Sequence, residues 1–188
     1  MNSYFSKPWV WVLVIVVVLG AWLLGAYNSF ASMNVGIDGA WAQVENQFQR
    51  RVDLIGNLVN SVKGLQTQEK EVFLGIAEAR TRYAGATTVD EKAAAASQVE
   101  TALGRLLVVM ENYPNLKSSE AVIELMAELS GTENRIAQER KRFNDAVTEY
   151  NTARVVVPGN IVASLFGFNM RSLYKADAGA STVPVVNF

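Results

Sequence analysis

The side chains available for chemistry are almost all of one kind. The 188-residue chain has no histidine and no cysteine, which removes thiol nucleophiles, disulfides, imidazole-based zinc sites and Ser-His-Asp triads together. Carboxylates remain. Glu69 and Glu71 bracket Lys70, and Glu133 and Glu139 fall on one segment, which is the material a metal-dependent hydrolase built on acids would use. Their spacing specifies no nucleophile, general base or metal shell, and helix-surface ion pairing accounts for them. No catalytic residue, cofactor site or metal ligand is assigned, and the chain reads as noncatalytic.

A second set of polar residues stands where packing expects apolar ones. Trp41, Val44, Phe48, Arg51, Ile55, Leu58, Val62 and Leu65 recur at alternating intervals of three and four, the spacing of a seam between helices. The register continues through Glu69, Val72, Ile76, Ala79 and Tyr83. Val99, Leu103, Leu106, Met110 and Tyr113 repeat it, as do Val122, Met126, Leu129, Glu133, Ile136, Arg140, Phe143, Val147 and Tyr150. Arg51, Glu133 and Arg140 therefore occupy seam positions, where an isolated charge is costly unless paired. The arginines are expected to meet carboxylates across helices, with Asp53, Glu133 and Glu45 as candidates.

Asn57, Asn134, Asn144 and Asn151 extend the pattern, and Asn144 and Asn151 share one helical face. Amides at such borders hydrogen-bond in both directions and can fix register. Arg51, Asp53, Asn57, Glu133, Arg140, Asn144 and Asn151 thus make a candidate interhelical polar lock. The competing reading makes Arg50, Asp53 and Asn57 a solvated face held by local pairs worth only about 0.2–0.5 kcal/mol. Periodicity alone does not choose between the two.

Helices must position these residues, and their ends are marked. Residues 84–88, AGATT, precede Asp90, which can cap a new helix, and Tyr113-Pro114-Asn115 interrupts the next. Ser118 or Ser119 can cap a third, with Glu120 and Glu124 near its positive end, and Pro158-Gly159 ends it. Gly131 could divide that helix, although a glycine costs only about 1 kcal/mol in a helix interior. Residues 160–168, NIVASLFGF, can form a short apolar helix that covers one end of the bundle or touches the membrane; covering is the simpler role. The polar stretch 176–182 and the terminal VPVVNF suit a linker and an extended tail that packs on its own domain, stays loose, or adds a strand to a partner.

The amino-terminal part has a different solvent. Residues 9–26, WVWVLVIVVVLGAWLLGA, are apolar, and no charge occurs between Lys7 and Asp38. About 18 such residues span most of a hydrocarbon core of about 30 Å, and Trp9, Trp11 and Tyr27 suit its two interfaces. A transmembrane helix is expected in preference to a cleaved signal peptide, whose apolar run is shorter and whose basic region is longer. Ala21 and Gly25 form a small-xxx-small pair that permits close helix packing. Lys7 ahead of the span puts the amino terminus in the cytoplasm and the domain outside. The first bundle helix can continue from the membrane.

The expected fold is all-α: an N-terminal transmembrane helix followed by an elongated antiparallel bundle of three to four long helices. It divides into residues 1–27, the amino-terminal segment and span; 28–158, the helical bundle; and 159–188, a short apolar segment and extended tail.

The stretches QRRVDLIGNLVNSVKG, ENYPNLK from Glu111, GTENRIAQERKRFNDAV from Gly131 and EYNTAR from Glu149, in this order, resemble the LemA family of bacterial membrane proteins. The resemblance runs from about Tyr27 to the terminal PVVNF. Gly56 stands where the family commonly has proline, which weakens the case for a kink there. The resemblance implies a single-pass protein of the bacterial inner membrane with a helical soluble domain, and carries no catalytic residues.

The leading functional expectation is a noncatalytic membrane-anchored scaffold or assembly protein that self-associates. The alternative is an accessory subunit of a membrane protease, transporter or secretion complex, with a carboxylate-based hydrolase behind both. Expected partners are membrane lipid, further copies of the chain and other membrane proteins. Nucleic acid is not among them, because positive and negative side chains nearly cancel, at 17 against 18. No cofactor is expected.

Overall fold

The computed structural model describes residues 8–65 and 67–174, which form helices, the turns and short links between them, and an irregular segment at 168–174 after the last helix. The helices are α1 (Pro8–Ser61), α2 (Lys70–Gly85), α3 (Val89–Glu111), α4 (Pro114–Lys117), α5 (Glu120–Val155) and α6 (Gly159–Phe166). Among the described residues no strand occurs. The segment 176–182 and the VPVVNF tail lie outside the described residues, as does Lys7.

Two compact units form. The first comprises residues up to Ala40 together with Phe143–Leu173. Its α1 portion begins with the apolar run, most of whose large side chains, from Trp9 to Leu24, stand exposed. This helix is long and apolar enough to cross a membrane. Farther along, Phe30 and Ile37 are buried, as are Phe143, Val147 and Tyr150 of α5 and Val162 and Ala163 of α6. Gly167 ends α6 in the left-handed conformation, at φ 74°.

The second unit comprises Trp41–Arg142 and, among the described residues, Tyr174. Its contacts define a four-helix bundle. Phe48 and Gly56 of α1 meet Tyr83 and Arg80 of α2, so those helices run antiparallel. Glu45 and Arg51 meet Lys92 and Glu100 of α3, a parallel pair. Arg50 and Phe48 meet Glu128 and Arg140 of α5, which descends. The chain therefore goes up, down, up and down. Val44, Ile55, Leu58, Ile76, Val99, Leu106, Val122 and Ile136 fill the interior, each following the three-four spacing.

Three local details correct the sequence reading. The seam from Trp41 to Tyr83 is not one helix: α1 stops at Ser61, a 3-10 turn follows at Lys63–Leu65, and α2 starts at Lys70. Val62 and Leu65 remain buried through the turn, because reversing the chain lets one apolar stripe cover the other. Asp90 is not the cap of α3. Thr88 takes that place, its hydroxyl accepting from the Glu91 N–H while the Glu91 carboxylate accepts from the Thr88 N–H, a reciprocal capping box. Ser119 stands just before α5, as expected, its carbonyl accepting from the Val122 and Ile123 N–H groups while its hydroxyl donates to the Leu116 carbonyl. Gly131 does not divide α5, and Gly56 lies within an unbroken α1.

Candidate functional site

Arg51 projects from the inward stripe of α1 and is only 6% exposed. Two other helices satisfy its charge. Nη2 lies 2.6 Å from Glu100 Oε2 on α3 and 2.8 Å from Glu133 Oε2 on α5. Nη1 donates to the Leu129 carbonyl and the Thr132 hydroxyl, both at 3.2 Å, and that buried hydroxyl donates to the Leu129 carbonyl at 2.7 Å. A planar guanidinium with several donors can serve all these acceptors at once, which a lysine ammonium cannot match in geometry. Three helices of the second unit thus meet at one side chain.

The cluster's electrostatics are unequal. Burial pushes the Glu100 carboxyl above its ordinary value, and the repulsion of Glu133 adds to this, while the attraction and hydrogen bond of Arg51 oppose it. Burial prevails. Glu133 keeps more of its side chain in water, with 53% exposed against 33% for Glu100. The arrangement is a polar contact of one cation, two anions, a hydroxyl and a carbonyl, made through both terminal nitrogens of the guanidinium, while its buried Nε has no hydrogen-bond partner. Among the described residues no group of three acids is placed to hold a metal ion.

The other residues of the candidate lock are dispersed. Asp53 and Asn57 are exposed: Asp53 accepts from Gln49 on its own helix at 3.0 Å, and the Asn57 carbonyl accepts from Ser61. Both face away from the interior because they lie on the opposite side of α1 from Ile55 and Leu58. Arg140 is seated between the rings of Phe48 and Tyr174, at 4.8 and 4.6 Å, a geometry in which a guanidinium is attracted to the ring faces, and its charge also attracts the Glu100 carboxylate across helices. Glu45 pairs with Lys92 at 2.7 Å, beside Tyr83, whose phenol is pushed up by burial and then by Glu45.

Asn144 and Asn151 belong to the first unit. Asn144 is half-buried, its carbonyl accepting from Thr148 at 2.8 Å. Asn151 binds backbone rather than a facing helix: its Nδ2 donates to the Arg171 carbonyl at 2.9 Å and its Oδ1 accepts from the Arg171 N–H at 3.0 Å. Tyr150 and Arg154 add bonds to the carbonyls of Asn169 and Phe168, and Arg171 pairs with Asp38 of α1. This side of α5 fastens the segment that follows α6. Ala21 and Gly25 lie on the exposed span, with nothing within 4 Å of a Cβ built at Gly25.

Sequence reasoning passed over Glu100 and Thr132. Each directly follows or lies near a seam position, Val99 and Leu129 respectively, and such flanking positions are where interhelical ion pairs form. Nothing in the sequence distinguishes Glu100 from the other flanking acids until the two helices are paired.

A helical bundle pinned by a buried arginine, together with a helix long and apolar enough to cross a membrane, marks an all-α, membrane-associated protein. The chain belongs to the LemA family, whose profile matches residues 40–188. It is similar to the magnetosome proteins MamQ 2 and MamQ 1 of Paramagnetospirillum magneticum strain AMB-1, each 28% identical over 197 residues, with 91% of this chain and 72% of theirs covered. It is also similar to the magnetosome protein MamQ of Magnetospirillum gryphiswaldense strain MSR-1, at 26% identity over 190 residues, 87% of this chain and 70% of that one.

Proposed function

We propose that this chain is a noncatalytic, membrane-anchored helical scaffold or assembly protein that associates with further copies of itself in a bacterial inner membrane. The observation that carries this reading is α1. The apolar run and the first helix of the bundle are parts of one 54-residue helix, with no linker residues between them. An anchored bundle of this kind is confined to the membrane plane, where weak contacts between copies gain from high effective concentration. Lys7 ahead of the run favours the bundle on the extracytoplasmic side.

Two further points support a structural role. Arg51, the most buried charged group among the described residues, is engaged in contacts that hold helices in register. The relatives are named as magnetosome proteins. The test is the mass of the full chain in a mild detergent, by light scattering with the detergent contribution subtracted. A uniform particle of several copies is expected. A monomer at all concentrations would overturn self-association and leave an accessory subunit of another membrane complex as the better account.

A further inference from the structure

From residue 155 to residue 170 the chain carries no charged side chain, and much of this stretch is on the surface. The inward face of α6 is accounted for by Val162 and Ala163, both buried. Its opposite face is also apolar: Ile161 is 60% exposed and Leu165 65%, one turn apart and therefore side by side. Val155, Val156 and Val157, which lead into α6, are exposed too, Val157 by 76%. A helix lying against water normally turns charged or polar residues outward. Here the outer face presents Ile161, Leu165 and Phe166 with the small hydroxyl of Ser164 among them and no charge, so water is a poor solvent for it.

The position of α6 within the first unit indicates which solvent is right. The Phe166 ring sits 5.0 Å from Tyr27, edge to face, and Phe168 lies 5.5 Å from Tyr27 and 5.2 Å from Phe30. Tyr27 is the residue after the apolar run 9–26, which at 1.5 Å per residue is about 27 Å long, close to a hydrocarbon core. Tyr27 to Phe30 therefore mark the level at which α1 leaves the bilayer. The carboxyl end of α6 is held at that level by the aromatic contacts, with its apolar face directed outward.

We infer that α6, with the valines before it, is an interfacial foot that lies in the headgroup layer of the leaflet from which α1 emerges. The lipid surface is its occupant. This rests on the reading that α1 spans the membrane, and it assigns to α6 a role other than closing one end of the bundle. The foot gives the protein a second contact with the same leaflet, beside the span, so that rotation about the α1 axis and tilting away from the surface are both restrained. Helices that lie in this layer bury an apolar face about 5–10 Å into the boundary between headgroups and acyl chains; in α6 that face is the outer one, since the inner one is covered by protein.

The absence of cysteine makes the test clean. Single variants Leu165→Cys, Ile161→Cys, Val17→Cys and Glu128→Cys of the full chain are labelled with a nitroxide and reconstituted in phosphatidylcholine–phosphatidylglycerol vesicles. Collision with dissolved oxygen and with a water-soluble nickel chelate then reports the depth of each. Val17 should lie deep, Glu128 in water, and Leu165 and Ile161 at a depth of about 5–10 Å, protected from nickel and open to oxygen. With Val17 deep, nickel exposure of both α6 positions equal to that of Glu128 would overturn the foot and leave the span intact. Protection of both from oxygen and nickel alike would also overturn it, since a second protein surface would then cover the face. Nickel access at Val17 would overturn the span itself, and the foot with it.

Discussion

Removing the guanidinium of Arg51 leaves two carboxylates facing one another with nothing between them. Arg51→Met keeps an unbranched apolar stem but strips Glu100 and Glu133 of their common cation. Breaking a buried ion pair from one side costs about 3–5 kcal/mol. Because both glutamates keep some access to water, a loss near the lower end, about 3 kcal/mol, is expected in urea unfolding. A loss below about 1 kcal/mol would class Arg51 with surface pairs and remove the basis for a lock. Glu100 adds a pH dependence. Its folded pKa is raised, so between the unfolded value, about 4.3, and the folded one, the folded state binds more protons. Stability from this group therefore falls as pH rises through that window. Glu100→Gln abolishes the titration while keeping an acceptor for Arg51. Relative to the parent chain, the variant should gain stability as pH rises through the window and level off above it, as thermal melts would show. A flat or falling difference would mean that burial does not dominate at Glu100. Glu91 does not confuse this reading, since backbone N–H groups of Thr87 and Thr88 hold it down at about 2, and its contribution is lost only as pH falls toward that value.

Among the elements, what was legible was what depends on periodicity. The apolar positions of α3 and α5 are buried nearly as their spacing requires, from Val99 to Met110 and from Val122 to Tyr150. The break between α1 and α2 was not legible, because Val62 and Leu65 keep the helical rhythm through the turn. A stripe that closes upon itself and a stripe that continues look alike until the partner surface is known. The start of α3 shows the same limit at finer grain. Thr88 and Asp90 are both good cap residues, and only the return bond from Glu91 selects Thr88. The candidate site was less legible than the helices. Arg51 and Glu133 are seam positions that meet, whereas Asn151, sharing a similar pattern, spends its amide on the backbone of Arg171. Register locates a residue on a face; it does not identify the group opposite.

At the scale of the whole molecule, everything proposed depends on the solvent around residues 9–26. Most of their side chains are exposed, Val10, Leu23 and Ala26 being half-buried, and none is fully buried against protein, an apolar surface that water would penalise and hydrocarbon would not. Val17 lies near the middle of the run, so it is the position at which a charge should be least tolerated. Val17→Arg adds about 2.5–3.5 kcal/mol to insertion at the bilayer centre, equivalent to about a hundredfold shift in the partition. The expected result is that the parent chain stays with membranes through alkaline carbonate washing, while a substantial part of the variant is released. Glu128→Arg, which changes a charge in the bundle by twice as much, should leave retention unchanged. If Val17→Arg were retained as firmly as the parent chain, the attachment would have to come from elsewhere, and α6 would be the first surface to test. If both chains washed off, the exposed run would be a surface for protein and not for lipid.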